Sequence, residues 1–141
     1  MDMRVIVSAL IKRGDEYLFI RQNKPGGAYP GTLHIPGGGL EEGEDPDSAV
    51  RREVLEETGL QVTNLTRHDF DYDVVNYKGR PTQFVFLRYL CDWQSGVGAP
   101  GSDAAELVWL TKTGVKAAQH NPPSVRLLTG IGLLRRDAEK A

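Results

Sequence analysis

Three carboxylates carry the first chemical signal in this sequence: Glu53, Glu56 and Glu57, within the run Arg52-Glu53-Val54-Leu55-Glu56-Glu57. On a helix, at about 100° per residue, they fall within an arc of about 100° on one face. Val50, Val54 and Thr58 lie towards the other side, where they can pack against a sheet. Acids at i, i+3 and i+4 repel one another, each pair costing about 0.2–0.5 kcal/mol in an isolated helix. Arg52 stands at i,i+4 to Glu56 and offers local relief. Such a face is either a solvated charge run or a set of hard oxygen ligands suited to Mg²⁺ or Mn²⁺.

The segment before the helix bears on that choice. Gly37, Gly38 and Gly39 allow a tight backbone path, either as a plain turn or so that peptide groups can approach a ligand closely. Asp45-Pro46 suits a helix start, with Asp as cap and Pro at the first helical position. Thr58-Gly59 suits its end. The acidic face therefore lies beside the glycines. Other phosphate-handling motifs fail on inspection. A dinucleotide fingerprint would need Gly at Glu42, and a P-loop read from Gly38 to Gly43 puts Glu44 where the Lys belongs. An acid there points away from direct phosphate cradling and towards metal-mediated binding. There is no G-x-S-x-G, and His34, His68 and His120 are too scattered for a metal cluster or a triad.

Composition narrows the classes further. The chain has 141 residues, one domain's worth, and a net charge of −2. No basic balance points to a nucleic-acid polymer or an anionic membrane. The pairs Arg51-Arg52 and Arg135-Arg136 are far apart. Cys91, the only cysteine, excludes an intrachain disulfide or a cysteine zinc site and reads as a small buried apolar residue. Residues 5–11 are apolar but short, with Asp2 and Arg4 before them and Lys12 and Arg13 after. They form neither a secretory signal nor a membrane span, so the expected location is cytoplasmic.

The elements that must position these residues follow from punctuation and periodicity. Residues 4–11 and 16–21 read as a β-hairpin, followed by a Gly- and Pro-rich loop over 23–31. A short strand at 32–35 runs into Pro36 and the glycines. After the acidic helix the pattern turns to β. It alternates loosely over 62–77, turns at Lys78-Gly79, and continues as a strong strand over 82–93. A Gly-rich loop at 94–101 leads to a short strand at 106–110. Asn121-Pro122 opens a last helix over 122–134, weakened by Gly130 and Gly132. Strands on both sides of a central helix imply an α/β (α+β) fold with a mixed sheet between helices.

Gly38, Glu44 and the run Arg52-Glu53-Val54-Leu55-Glu56-Glu57-Thr58-Gly59-Leu60 together resemble a complete Nudix box, with every fixed position filled over residues 38–60. The resemblance implies a single Nudix domain over residues 1–141, built as an α/β/α sandwich with a central mixed β-sheet. It implies that Glu56 and Glu57 ligate the metal, and that Glu53 binds the metal or its water and in some members acts as general base. Arg52 orients the acids through ion pairing, with Glu44 as a supporting partner. The carbonyl of Gly37 is a further metal ligand, and Gly38 and Gly39 border the substrate. The implied cofactor is Mg²⁺, with Mn²⁺ as a substitute. Outside the box, Arg21 is placed either to hold a phosphate or as a solvated strand end. Glu106, before Leu107-Val108-Trp109, is an acid for metal or base work or a structural partner, with Trp109 in the core. Asn121 reads a base edge or simply caps the last helix.

The resemblance also sets the linkage: a nucleoside diphosphate joined to another group. The chain is most similar to the MutT-like triphosphatase members, which implies cleavage of a (deoxy)nucleoside triphosphate to monophosphate and pyrophosphate, with water attacking the β phosphorus. Other Nudix substrates stay open. Tyr77 stands near where dinucleoside-polyphosphate members carry a base-stacking Tyr, and Pro81 lies a little beyond the Pro of ADP-ribose members. A non-catalytic nucleotide-sensing domain is the remaining alternative, although such domains tend to lose box acids. The expected partner is a small nucleotide, with monomer and homodimer both open.

Overall fold

Alternation along the first strand, β1 (Asp2–Arg13), decides how the molecule is layered. Val7, Ala9 and Ile11 point to one side, into a core with Ala49, Val50 and Val54 of helix α1 (Pro46–Thr58). Leu10 points to the other side, into a second core with Val115 of α2 (Lys112–Ala117) and Leu127 and Leu128 of α3 (Pro122–Gly130). The two-residue period of a strand therefore puts helices on both faces of one sheet. The computed structural model describes residues 1–21, 28–99 and 106–135, and among these it shows the expected α/β/α arrangement.

β1 runs parallel to β6 (Arg80–Ser95), and β6 pairs antiparallel with β5 (Gln61–Tyr77). The other edge of β1 is shared. β4 (Gly37–Gly39) takes residues 6–8, and β2 (Glu16–Arg21) takes only Lys12 and Arg13. The expected hairpin thus holds only next to its turn, because β4 occupies the edge that a longer hairpin would use. β2 diverges to pair with β7 (Glu106–Thr111) and, at its end, with β3 (Leu33–His34).

Local signals set most boundaries. Asp45 caps α1 by accepting from the Ser48 N–H at 3.0 Å, and Gly59 closes it at φ 74°, its own N–H bonded back to the Leu55 carbonyl. Lys78 and Gly79, both at positive φ, form the two-residue turn between β5 and β6. Three features differ from expectation. The glycines form a strand rather than a turn. A short helix, α2, follows β7, capped by Thr111 and too brief to show periodicity. The last helix stops at Gly130, because Gly132 adopts φ 86° and the chain doubles back, with Leu133 bonding Leu128. The loops expected over 23–31 and 94–101 lie partly outside the described residues, as does Arg136. Among the described residues no helix is long and apolar enough to cross a membrane.

Candidate active site

A cavity of about 410 Å³ opens on the α3 side of β1 and β6. Its wall follows from the same alternation: Arg4, Ile6 and Ser8 from β1, then Phe84, Phe86 and Arg88 from β6. Asn121, Pro123 and Ser124 at the start of α3 close one side, and Tyr77 and Lys78 at the β5–β6 turn close another.

Glu53, Glu56 and Glu57 line this same cavity, although α1 packs on the opposite face of the sheet. The glycine strand makes that possible. A Cβ on Gly38 would fall on the Glu53 carboxylate, so only the bare backbone of β4 separates helix from cavity. The N–H of Gly37 donates to Oε1 of Glu57 at 3.0 Å and ties strand to helix. Glu57 is buried, whereas Glu56 is largely exposed.

Arg52 organises the acids. Its Nε and Nη2 form a two-point contact with Glu44 at 2.7 and 2.8 Å. Its Nη1 reaches Glu53 at 2.9 Å and Glu56 at 3.1 Å, and Nη2 also donates to the Gly39 carbonyl at 3.2 Å. Charge-assisted, forked contacts of this kind are among the stronger polar interactions. The Arg52 guanidinium holds the Glu44 carboxyl down at about 2. Burial pushes Glu53 up, against the opposing pull of Arg52 and with help from the charges of Glu56 and Glu44.

The donor set is all oxygen, which suits a hard divalent cation rather than zinc or copper. Among the described residues, no three acidic, histidine or cysteine side chains already converge as a cage. Glu53 and Glu56 are instead turned to Arg52, so a cation held by them must compete with that guanidinium.

The residues singled out outside the box divide between the cavity wall and the sheet. Arg21 and Glu106 are direct cross-strand partners in β2 and β7 and form an ion pair at 2.5 Å. Neither is among the described residues lining the cavity. Asn121 lines the cavity and also caps α3, its Oδ1 accepting from the Ser124 N–H at 2.9 Å. Trp109 packs against the α1-side core with Arg13 over its ring. Cys91 is buried, and burial pushes its thiol up to about 12.

Three cavity residues carry roles that the sequence pattern leaves unassigned. Arg88, 5% exposed, forks onto Asp69 at 2.7 and 2.8 Å, approaches Asp71 at 3.4 Å and donates to the Pro123 carbonyl at 2.6 Å. Arg126 of α3 also holds Asp71, at 2.6 Å, so the cluster fastens α3 to the sheet. The Tyr29 hydroxyl donates to Asp73 at 2.9 Å, and burial pushes it well above the ordinary phenol range. Arg4 is the third. Strand alternation is the signal that could have marked Arg4 and Arg88, because Arg4 stands two residues before Ile6 and Arg88 two residues after Phe86, which puts each on the same face as that neighbour.

A family model described as NUDIX domain matches residues 2–129. The nucleoside triphosphatase NudI of Enterobacter sp. strain 638 is 28% identical over 141 residues, covering 95% of this chain and 100% of that protein. Its Escherichia coli K12 counterpart is 40% identical over 94 residues, covering 64% of this chain and 67% of that one. The 8-oxo-dGTP diphosphatase of Haemophilus influenzae is 28% identical over 136 residues, covering 91% and 92%. The crystal structure of a MutT NUDIX hydrolase from Burkholderia pseudomallei superposes with a TM-score of 0.75 at 23% identity, covering 90% of this chain and 97% of that one, a likeness of fold.

Proposed function

This chain belongs to the NUDIX domain family, and from that premise we propose that it hydrolyses a (deoxy)nucleoside triphosphate to the monophosphate and pyrophosphate, using a divalent cation. The observation that carries the reading is the meeting of Glu53, Glu56 and Glu57 with the side-chain-free strand β4 in one cavity. The far wall of that cavity, with Tyr77, Phe84 and Phe86, is aromatic and suits a nucleoside. Relatives named as a nucleoside triphosphatase and an 8-oxo-dGTP diphosphatase support the substrate class.

In this reading Glu56 and Glu57, with Glu53 and the backbone of Gly37, would hold Mg²⁺ or Mn²⁺. Such a cation would offset phosphate charge and make the attacking water more acidic. Glu53, raised by burial, accepts the proton of the attacking water at its carboxylate. The water oxygen bonds to phosphorus as the bridging P–O bond breaks. Arg52 and Glu44 keep the acids in register through their forked contact. A cytoplasmic location belongs to the same proposal and fits a fold that uses no disulfide among its described residues.

The test is a panel of nucleoside triphosphates, dinucleoside polyphosphates and ADP-ribose with Mg²⁺, products separated by anion exchange. Monophosphate plus pyrophosphate is expected from a triphosphate. Orthophosphate plus diphosphate as first products overturns the reading, and no turnover on any member favours a nucleotide-sensing role.

A further inference from the structure

We propose that Arg4 is the side chain that grips the phosphate chain of the ligand; the assignment rests on the nucleotide reading above. Arg4 reaches the cavity from β1, and its Nη2 lies 2.8 Å from where a Cβ on Gly39 would stand. Its guanidinium thus fills the volume that a side chain at position 39 would take. Gly38, whose Cβ would fall on the Glu53 carboxylate, is the adjacent residue, and because successive strand positions face opposite ways, Arg4 and Glu53 approach the glycine strand from its two faces. Arg4 and the helix acids Glu53, Glu56 and Glu57 nonetheless line one cavity, so a phosphate chain bound there faces both.

What surrounds Arg4 separates it from the other arginines near the site. Arg52 is taken by Glu44, Glu53 and Glu56, Arg88 by Asp69 and Asp71, and Arg21 by Glu106. Arg4 instead rests on a neutral phenol, donating from Nη1 to the Tyr77 hydroxyl at 3.3 Å with its guanidinium 5.2 Å from the ring centroid. Among the described residues it has no carboxylate partner. Tyr77 holds the fork in place without cancelling its charge, and Lys78 lies 5.3 Å from the same ring. A planar guanidinium with free donors matches two phosphate oxygens at once. A triphosphate carries more charge than one divalent cation neutralises, so a second cationic contact is needed where the metal does not reach. Arg21, the strand-end arginine that the family resemblance offers for that duty, is already neutralised by Glu106.

The experiment titrates inorganic tripolyphosphate and pyrophosphate, each with Mg²⁺, into wild type, Arg4→Gln, Arg4→Lys and Tyr77→Phe by calorimetry, with thermal melts as a fold control. Arg4→Gln should weaken tripolyphosphate by about tenfold, the scale of one charge-assisted contact, and pyrophosphate by less. Arg4→Lys should recover part of that loss, and Tyr77→Phe should lose about two- to threefold. On nucleoside triphosphates, Arg4→Gln should raise KM with kcat nearly unchanged. Equal tripolyphosphate affinity in wild type and Arg4→Gln, or no binding by wild type, overturns the assignment. A change confined to base preference, with tripolyphosphate affinity intact, also overturns it and gives Arg4 to the base. Failure of the nucleotide reading shows separately, as absent turnover in wild type, while the tripolyphosphate comparison still decides the role of Arg4.

Discussion

The N–H of Gly37 donates to Oε1 of Glu57 over 3.0 Å, joining β4 to the acidic face of α1. That bond orients a buried carboxylate whose helix otherwise packs on the far side of the sheet. One residue on, Gly38 leaves no room for any side chain against Glu53.

Gly38→Ala should therefore displace the Glu53 carboxylate. Overpacking of this kind costs about 1–3 kcal/mol, while turnover, which depends on the placement of Glu53, should fall by about 10²-fold. Turnover and urea melts on one preparation read both effects. Wild-type turnover in a stably folded variant would show that Glu53 need not sit where it does.

Glu56→Gln and Glu57→Gln should each lower turnover by about three orders of magnitude or more, with circular dichroism unchanged. Because a ligand that binds only the native state raises stability by mass action, millimolar Mg²⁺ or Mn²⁺ should raise the wild-type melting temperature. Glu56→Gln should respond less. Near wild-type turnover in both variants would remove these acids as metal holders.

Arg88→Ala leaves Asp69 without its forked partner and frees the Pro123 carbonyl. Removing one member of a fully buried pair costs about 3–5 kcal/mol; here about 2 kcal/mol is expected, because Asp69 keeps contact with water. The loss should appear as a lower urea midpoint with an unchanged slope. A change below about 0.5 kcal/mol would mean that α3 is held by its apolar contacts alone.

His120 donates from Nε2 to the Val115 carbonyl at 2.7 Å, and burial lowers its pKa. The unfolded chain therefore takes up this proton first as pH falls below about 6.5. The stability from a neutral His120 is full above that pH and is lost as pH falls towards the lowered folded value. The stability gap between wild type and His120→Gln should shrink from pH 7.5 to pH 5. A constant gap would show that His120 does not titrate differently on unfolding.

Hydrolysis in ¹⁸O water reports which phosphorus is attacked. Label in pyrophosphate marks the β position, the outcome expected here, with the monophosphate as leaving group. Label in the monophosphate moves the attack to the α position and leaves the overall products unchanged.

What could be read from the sequence alone is what neighbouring residues decide among themselves. Asp45 caps the helix through a residue three places on, Gly59 closes it by adopting positive φ, and the spacing of Glu53, Glu56 and Glu57 puts them on one face. These interactions span at most one helical turn, so the span of α1 and the direction of its acids were legible before any packing was known. The partners of strands are different, because pairing depends on register between distant segments. Nothing local to Arg21 says that it meets Glu106 across β2 and β7, and nothing local to the glycines says that they join β1 at residues 6–8 and shorten the first hairpin. Nor does the run around Arg88 show that Asp69 and Asp71 wait on the neighbouring strand. Tertiary structure decided which cations were neutralised and which, like Arg4, kept their charge facing the cavity. The energy of an ion pair depends on a distance that only the folded register sets.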